Sequence, residues 1–210
     1  MATKTSSIDC TNTKFIISSH ISSKDKALPK LIKSFEINNI NNVISIVGGC
    51  SEECFNNNTY YVSHNSFDHT ALISILELQL KSKYWFVLHD TCELGPNFYN
   101  LLSQYKIKHP YISITEMAWM NMGLFSQDFI EENKNYILSL KNLSKERAIL
   151  SERVYSRFGE YGWFGRQKDQ QRIRNCKNVY NDDKKRDVLY FPFLDLYKFQ
   201  SYDALKVMKK

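Results

Sequence analysis

Apolar and polar positions alternate between two rhythms along the first half of the chain. Phe15-Ile16-Ile17, within residues 14–19, is an apolar, partly β-branched run closed by Ser18-Ser19, the pattern of a buried strand. A loop from His20 to Asp25 follows. Leu28, Leu31, Ile32 and Phe35 then recur at helical spacing, with Pro29 expected in the first turn of the helix. Turn chemistry at 38–42 leads into Val43-Ile44-Ser45-Ile46-Val47, a second buried strand stopped by Gly48-Gly49. Tyr60-Tyr61-Val62 reads as a short third strand. From Ser66, the expected N-cap, Leu72, Ile73, Ile75, Leu76, Leu78 and Leu80 describe a helix apolar around much of its circumference. Tyr84-Trp85-Phe86-Val87-Leu88 is the strongest strand signal in the chain, and it runs straight into His89-Asp90-Thr91-Cys92-Glu93.

The second half is less regular. A short helix over 98–105 is entered through Gly95-Pro96, and Tyr111-Ile112-Ser113-Ile114-Thr115 alternates like a strand. An extended piece over 119–125 ends at Ser126, which caps a helix carrying Phe129, Ile130, Tyr136, Ile137 and Leu140. A further helix starts at Ser144, with Ile149, Leu150, Val154 and Phe158 on its apolar side. Beyond Gly159, glycines interleave with Tyr161, Trp163 and Phe164, a basic polar stretch runs to Lys185, and residues 188–193 form a last strand that Pro192 marks as an edge. The order β-α-β-β-α-β predicts an α/β domain with a mixed, mostly parallel central sheet flanked by helices, whose N-terminal half binds a nucleotide-like ligand. Polar and ionisable residues at the carboxyl end of a central strand lie where open α/β sheets bind ligands, so residues 89–91 are the first candidate site. Gly48-Gly49 lacks the rest of a GxGxxG fingerprint, and no P-loop is present.

Composition narrows this picture modestly. With 210 residues and 43% hydrophobic content, one domain is expected. No apolar run approaches the ~20 residues of a membrane span, and the first ten residues are polar, so a cytoplasmic location is expected. Five scattered cysteines without CxxC spacing read as reduced thiols; Cys50 and Cys54 lack the partners that would complete a zinc site. The net charge of +6 reads either as a solvated basic surface or as a basic cleft for a diphosphate. With no RRM, zinc-finger or basic-zipper pattern, nucleic acid is an unlikely partner.

These segments, taken in order, resemble the GT-A class of glycosyltransferases over roughly residues 14–159. Ile16-Ile17-Ser18-Ser19-His20 looks like the first strand and turn that receive the nucleotide base. Asn65-Ser66-Phe67-Asp68-His69-Thr70-Ala71 resembles the family's Asn-x-Gly-x-x-x-Ala segment without its glycine, and Phe86-Val87-Leu88-His89-Asp90-Thr91 sits where the family carries its Asp-x-Asp motif. Residues 120–126 are similar to the acceptor-side strand, and residues 146–159 to the acidic helix of inverting members. Among the subfamilies the chain looks most like the small glycosyltransferase domains with which large DNA viruses, such as chlorella viruses, glycosylate their capsid proteins; that resemblance implies a host-cytoplasmic protein. The chain departs from the pattern in keeping one carboxylate of the aspartate motif and in having Arg147 where the Glu-Asp pair would place its aspartate.

The resemblance implies one GT-A-like domain over 1–210, with a nucleotide-sugar-binding half at about 14–115 and an acceptor-side half and annex at about 116–210. It implies transfer of a sugar from a nucleotide-diphosphate donor, a UDP-sugar first, to a glycan or glycoprotein, inverting and assisted by Mn²⁺ or Mg²⁺. Asp90 is the expected metal ligand, since hard carboxylate oxygens suit these ions. Its alternative role is to cap the following turn. Ser18, Ser19, His20, Gly48, Gly49, Asn65, Asp68, His89, Asp90 and Thr91 are the expected donor-binding residues. Glu146 is the candidate base that deprotonates the acceptor hydroxyl, with Glu152 second; both also read as surface helix carboxylates. Arg153, Arg157, Arg166, Arg172 and Arg174 offer cations for the diphosphate where metal binding is weak, or else are solvated, and Trp119, Tyr161, Trp163 and Phe164 offer a platform for a sugar face or else are core. The competing reading is a catalytically inactive module of the same fold that binds sugar nucleotides or glycans.

Overall fold

The computed structural model describes residues 6–9, 11–116, 122–144, 147–148, 161–176 and 186–201. Its centre is an eight-stranded mixed sheet. Strand β2 (Thr13–His20) pairs in parallel with β3 (Val43–Gly48) on one side and β6 (Tyr84–His89) on the other, and β3 pairs in parallel with β5 (Thr59–Tyr61). Beyond β6 come β10 (Gly123–Ser126), antiparallel to its neighbours, then β9 (Tyr111–Thr115) and β11 (Gly162–Gly165), while β4 (Cys54–Asn56) closes the other edge. β4 and β5 form a hairpin turning at Asn57 and Asn58. Both sit at positive φ (46° and 59°), as the two central residues of a type I′ turn require.

Side-chain alternation explains why the strands read as continuous apolar runs: both faces of the sheet are covered. Phe15 and Ile17 of β2, with Phe86 and Leu88 of β6, pack on one face with Leu31 and Phe35 of helix α1 (Lys24–Ile37) and with Phe98 and Leu102 of α3 (Phe98–Ser103). Ile16, Trp85 and Val87 point the other way, against Ala71, Leu72 and Ile75 of α2 (Thr70–Glu77), Phe129 and Ile130 of α4 (Gln127–Glu132) and Ile137 of α5 (Lys134–Ser139). Burial of each such side chain contributes about 1.5–3 kcal/mol before the entropy of ordering it is subtracted.

A second, antiparallel sheet runs β12 (Gln171–Cys176), β13 (Arg186–Phe191), β14 (Leu196–Ser201) and β7 (Cys92–Leu94). Because β7 follows β6 directly, this sheet is built onto the carboxyl end of the central strand. Asp195, in the β13–β14 turn, fixes it there: its backbone carbonyl accepts from Gly95 N at 2.7 Å, its carboxylate accepts from Asn97 N at 3.0 Å and from the Tyr190 hydroxyl at 3.1 Å. A side chain at Gly95 would collide with Asp195, since a Cβ there would stand 2.1 Å from its carboxyl carbon. A two-stranded ribbon of β1 (Ser6–Ser7) with β8 (Lys106–Ile107) completes the strands among the described residues.

Several local expectations are corrected. Helix α1 starts at Lys24 and runs through Pro29, which is its sixth residue rather than part of its first turn. Ser66 makes no side-chain cap: residues 67–69 form a 3₁₀ turn, α2 begins at Thr70, and it ends at Glu77 before Leu78 and Leu80, with Gln79 at φ 52°. Ser126 does cap, accepting from Phe129 N at 3.1 Å, but the helix it opens breaks at Asn133 into two. β13 is central in its sheet, not an edge, because Pro192 falls in the turn after it and the strand β14 follows. No helix among the described residues is long and apolar enough to cross a membrane.

Candidate functional site

The parallel strands run β2, β3, β5 outward in one direction, and the chain then returns through α2 to place β6 on the opposite flank of β2. A reversal of this kind opens a crevice beyond the carboxyl ends of the two strands flanking it, here β2 and β6. The register pairs Ser18 with His89 and His20 with Gly48, so Ser18, Ser19, His20, Gly48, Gly49, His89, Asp90 and Thr91 gather along one sheet edge. Asp90 N donates to Ser18 O at 2.9 Å, carrying the pairing one residue past the strand.

Asp90 is 7% exposed and is the centre of the cluster. Its Oδ2 accepts from the hydroxyls of Ser19 (2.7 Å) and Ser23 (2.9 Å). It therefore does not cap the turn that follows it. Among the described residues Oδ1 accepts no hydrogen bond. Burial pushes the carboxyl above the usual carboxylate range, against the pull of the two serine hydroxyls and the Lys198 charge. His89 is 4% exposed. Its Nδ1 lies 2.5 Å from Lys198 Nζ and 3.3 Å from Asp68 Oδ1. The ring nitrogen can accept from the ammonium or donate to the carboxylate but not both, and the shorter contact favours the neutral, accepting tautomer. Lys198 also donates to Thr91 Oγ1 at 2.7 Å.

Around this centre the neighbours are shaped by backbone geometry. Asp68, 37% exposed at its side chain, is presented by a turn in which Phe67 adopts φ 50°, a conformation that is an outlier for a bulky residue. Asn65 Oδ1 accepts from Phe67 N at 3.3 Å and so stabilises that turn. Ser18 Oγ accepts from Ala71 N at 2.9 Å, tying the end of β2 to the start of α2. Gly48 lets the chain approach the 62–64 loop, where a Cβ would stand 2.8 Å from His64 O, and Gly49, at φ 77°, lies under the His20 ring. His20 is oriented by Ser22 Oγ, 2.8 Å from its Nδ1.

Other expected groups are distributed differently. Glu146 and Glu152, with Arg153, Arg157 and Trp119, lie outside the described residues, as does the Arg174 side chain. Arg172 is engaged by Asp187 at 3.4 Å on the antiparallel sheet. Of the aromatic group, Phe164 packs on Phe86 and Tyr105 in the core, whereas Tyr161 stacks on Tyr111 and meets the 45% exposed Trp163 edge-on, with ring centroids 6.3 Å apart. Cys50 and Cys54 are free thiols, and no group of three or more His, Cys, Asp and Glu that could hold a metal occurs among the described residues. A hard divalent ion of the kind bound by one or two carboxylates plus substrate phosphates would find one uncommitted carboxylate oxygen here, Asp90 Oδ1.

Sequence reasoning missed Lys198 and Ser23. Lys198 is 107 residues from Thr91 and arrives through the register of β14 on β7, which sets it opposite Cys92. The one signal for it was a lysine inside the β-prone stretch Leu196-Tyr197-Lys198-Phe199. No protein-family model, curated protein or solved structure matches this chain.

Proposed function

We propose that this protein is a glycosyltransferase that moves a sugar from a nucleotide-diphosphate donor, a UDP-sugar first among candidates, to a hydroxyl of a glycan or glycoprotein, with inversion at the anomeric carbon. The observation that carries the reading is Asp90: a buried carboxylate with one oxygen anchored by Ser19 and Ser23 and the other uncommitted, at the crevice where β2 and β6 part. In the GT-A pattern that the sequence resembles, this is the position of the aspartate motif. The α/β architecture with its mixed, mostly parallel sheet is compatible with that class.

In the proposed reaction the acceptor oxygen bonds to the anomeric carbon as the bond to the diphosphate oxygen breaks, and the electron pair leaves with the nucleoside diphosphate. The acceptor proton goes to a base, for which Glu146 and then Glu152 are the candidates by motif position. Bound Mn²⁺ or Mg²⁺ would supply Lewis-acid neutralisation of the leaving diphosphate, held by Asp90 Oδ1. The edge formed by Ser18, Ser19, His20, Gly48, Gly49, Asn65 and Asp68 would receive the base and ribose, and His89 with Thr91 would flank the phosphates.

The single carboxylate of the His89-Asp90-Thr91 segment favours a second reading, a sugar-nucleotide-binding module without turnover. Donor hydrolysis separates the two. Wild type incubated with a panel of UDP-sugars and Mn²⁺ is expected to release UDP slowly from at least one, with Asp90→Asn abolishing release. UDP binding without release from any donor, in the presence of sugar acceptors, would favour the module.

A further inference from the structure

Lys198 is the one feature of the site that the reading above does not use. Its ammonium is half-buried, and its two hydrogen bonds go to neutral groups, His89 Nδ1 at 2.5 Å and Thr91 Oγ1 at 2.7 Å. An ammonium carries three donors, so one N–H remains. Among the described residues Lys198 makes no ion pair with a carboxylate. A lysine commonly lays its stem along the protein and leaves its ammonium to water. Here two hydrogen bonds orient the ammonium, and it acts on the Asp90 carboxylate through space without forming an ion pair. They also hold a long side chain in one geometry in advance, so that less rotamer entropy is lost when a ligand arrives. The ammonium is tethered to the two residues that flank Asp90, at the carboxyl end of β6.

We infer that Lys198 is a protein-borne cation for the diphosphate of the nucleotide ligand, contributing to its binding whether or not a divalent ion is present. The inference rests on the nucleotide-diphosphate reading and adds a residue to it. A lysine is a point charge that suits phosphate oxygens, and its placement on β14 gives the antiparallel sheet a part in the site: β12, β13 and the Asp195 turn hold the strand that delivers the charge.

The test is calorimetric titration of UDP, GDP and ADP, and of uridine as the phosphate-free probe, into wild type, Lys198→Met and Lys198→Arg, each in EDTA and in Mn²⁺. Wild type is expected to bind one of the diphosphates in EDTA. Lys198→Met should weaken that binding about tenfold or more, as expected for loss of a charge-assisted contact, and leave the matching nucleoside unaffected; Lys198→Arg should retain most of the affinity. Equal diphosphate affinity in wild type and Lys198→Met would overturn the inference while the nucleotide reading stood, as would binding seen only with Mn²⁺ and unchanged by the substitution. Parallel loss of nucleoside and diphosphate binding, with a lowered melting temperature in Lys198→Met and no rescue by arginine, would show a structural lysine and overturn it too. Failure of wild type to bind any nucleoside diphosphate in either condition would remove both the reading and the inference.

Discussion

Replacing Asp90 by asparagine should make the protein more stable near neutral pH while damaging its site. Asparagine keeps the shape and one acceptor oxygen for Ser19 and Ser23, whose bonds to Oδ2 measure 2.7 and 2.9 Å. A hydrogen bond to a charged acceptor contributes about 1.5–3 kcal/mol against about 0.5–1.5 kcal/mol for a neutral one, so the substitution forfeits about 1 kcal/mol at each serine. Against this stands the cost of holding a carboxylate out of water, which amounts to several kcal/mol per ion even after relaxation. Burial is the largest influence on Asp90 and raises its pKa, so desolvation outweighs the serines and the Lys198 charge. The net gain on neutralisation should be about 1 kcal/mol, worth about 2–4 °C in melting temperature for a chain of this size. The sign with pH follows. A carboxyl whose folded pKa is raised favours folding fully below its ordinary value near 3.8, and that contribution is lost as pH rises through the folded value. The advantage of Asp90→Asn should therefore be present at pH 7 and vanish near pH 3.5. Thermal melts of both proteins at the two pH values measure it. An Asp90→Asn protein that melts several degrees lower at pH 7 would refute the reasoning, making the carboxylate an anchor for β2 rather than a charge held at a cost to stability.

Gly49→Ala should lower stability by about 1–2 kcal/mol, because φ 77° is left-handed for a residue with a Cβ and that Cβ would stand 2.6 Å from the His20 ring; an unchanged urea midpoint would contradict this. His64 and His69 are both buried, and burial holds their pKa values below the ordinary 6.5. Their contribution to stability is present above pH 6.5 and lost as pH falls through their folded values, because the unfolded chain binds the protons first. Unfolding free energy from urea titrations should accordingly fall between pH 7 and pH 5, and the fall should be shallower in a His64→Gln, His69→Gln double variant; an equal slope in both proteins would contradict it.

The three parallel strands at the middle of the central sheet were legible in the sequence because strands covered on both faces leave nearly continuous apolar runs, as at 15–17, 43–47 and 84–88, whereas β4 and β11 at its edges were not. Of the second sheet only β13 was legible, in the strand read over 188–193. β7 is a three-residue strand, and β12 is polar and basic, so neither carries a period-2 signal strong enough to separate it from a loop. Reading 188–193 as an edge strand followed from Pro192, whose place in a turn rather than in the strand goes with a pairing with β14 that no local pattern records. The same limit applies to the site. Asp90, His89 and Ser18 announce themselves by sitting at strand ends. Lys198 does not, because its proximity to Thr91 is a consequence of sheet register across 107 residues. The Asn57-Asn58 pair, which the sequence reading passed over, turns the β4–β5 hairpin through left-handed backbone.

Calorimetric titration of UDP into wild type and Asp90→Asn, with and without Mn²⁺, tests the central claim most directly. The account predicts micromolar binding by wild type that Mn²⁺ strengthens, and loss of the Mn²⁺ effect in Asp90→Asn. Absence of binding by wild type to UDP, and then to GDP and ADP, with or without the ion would contradict it.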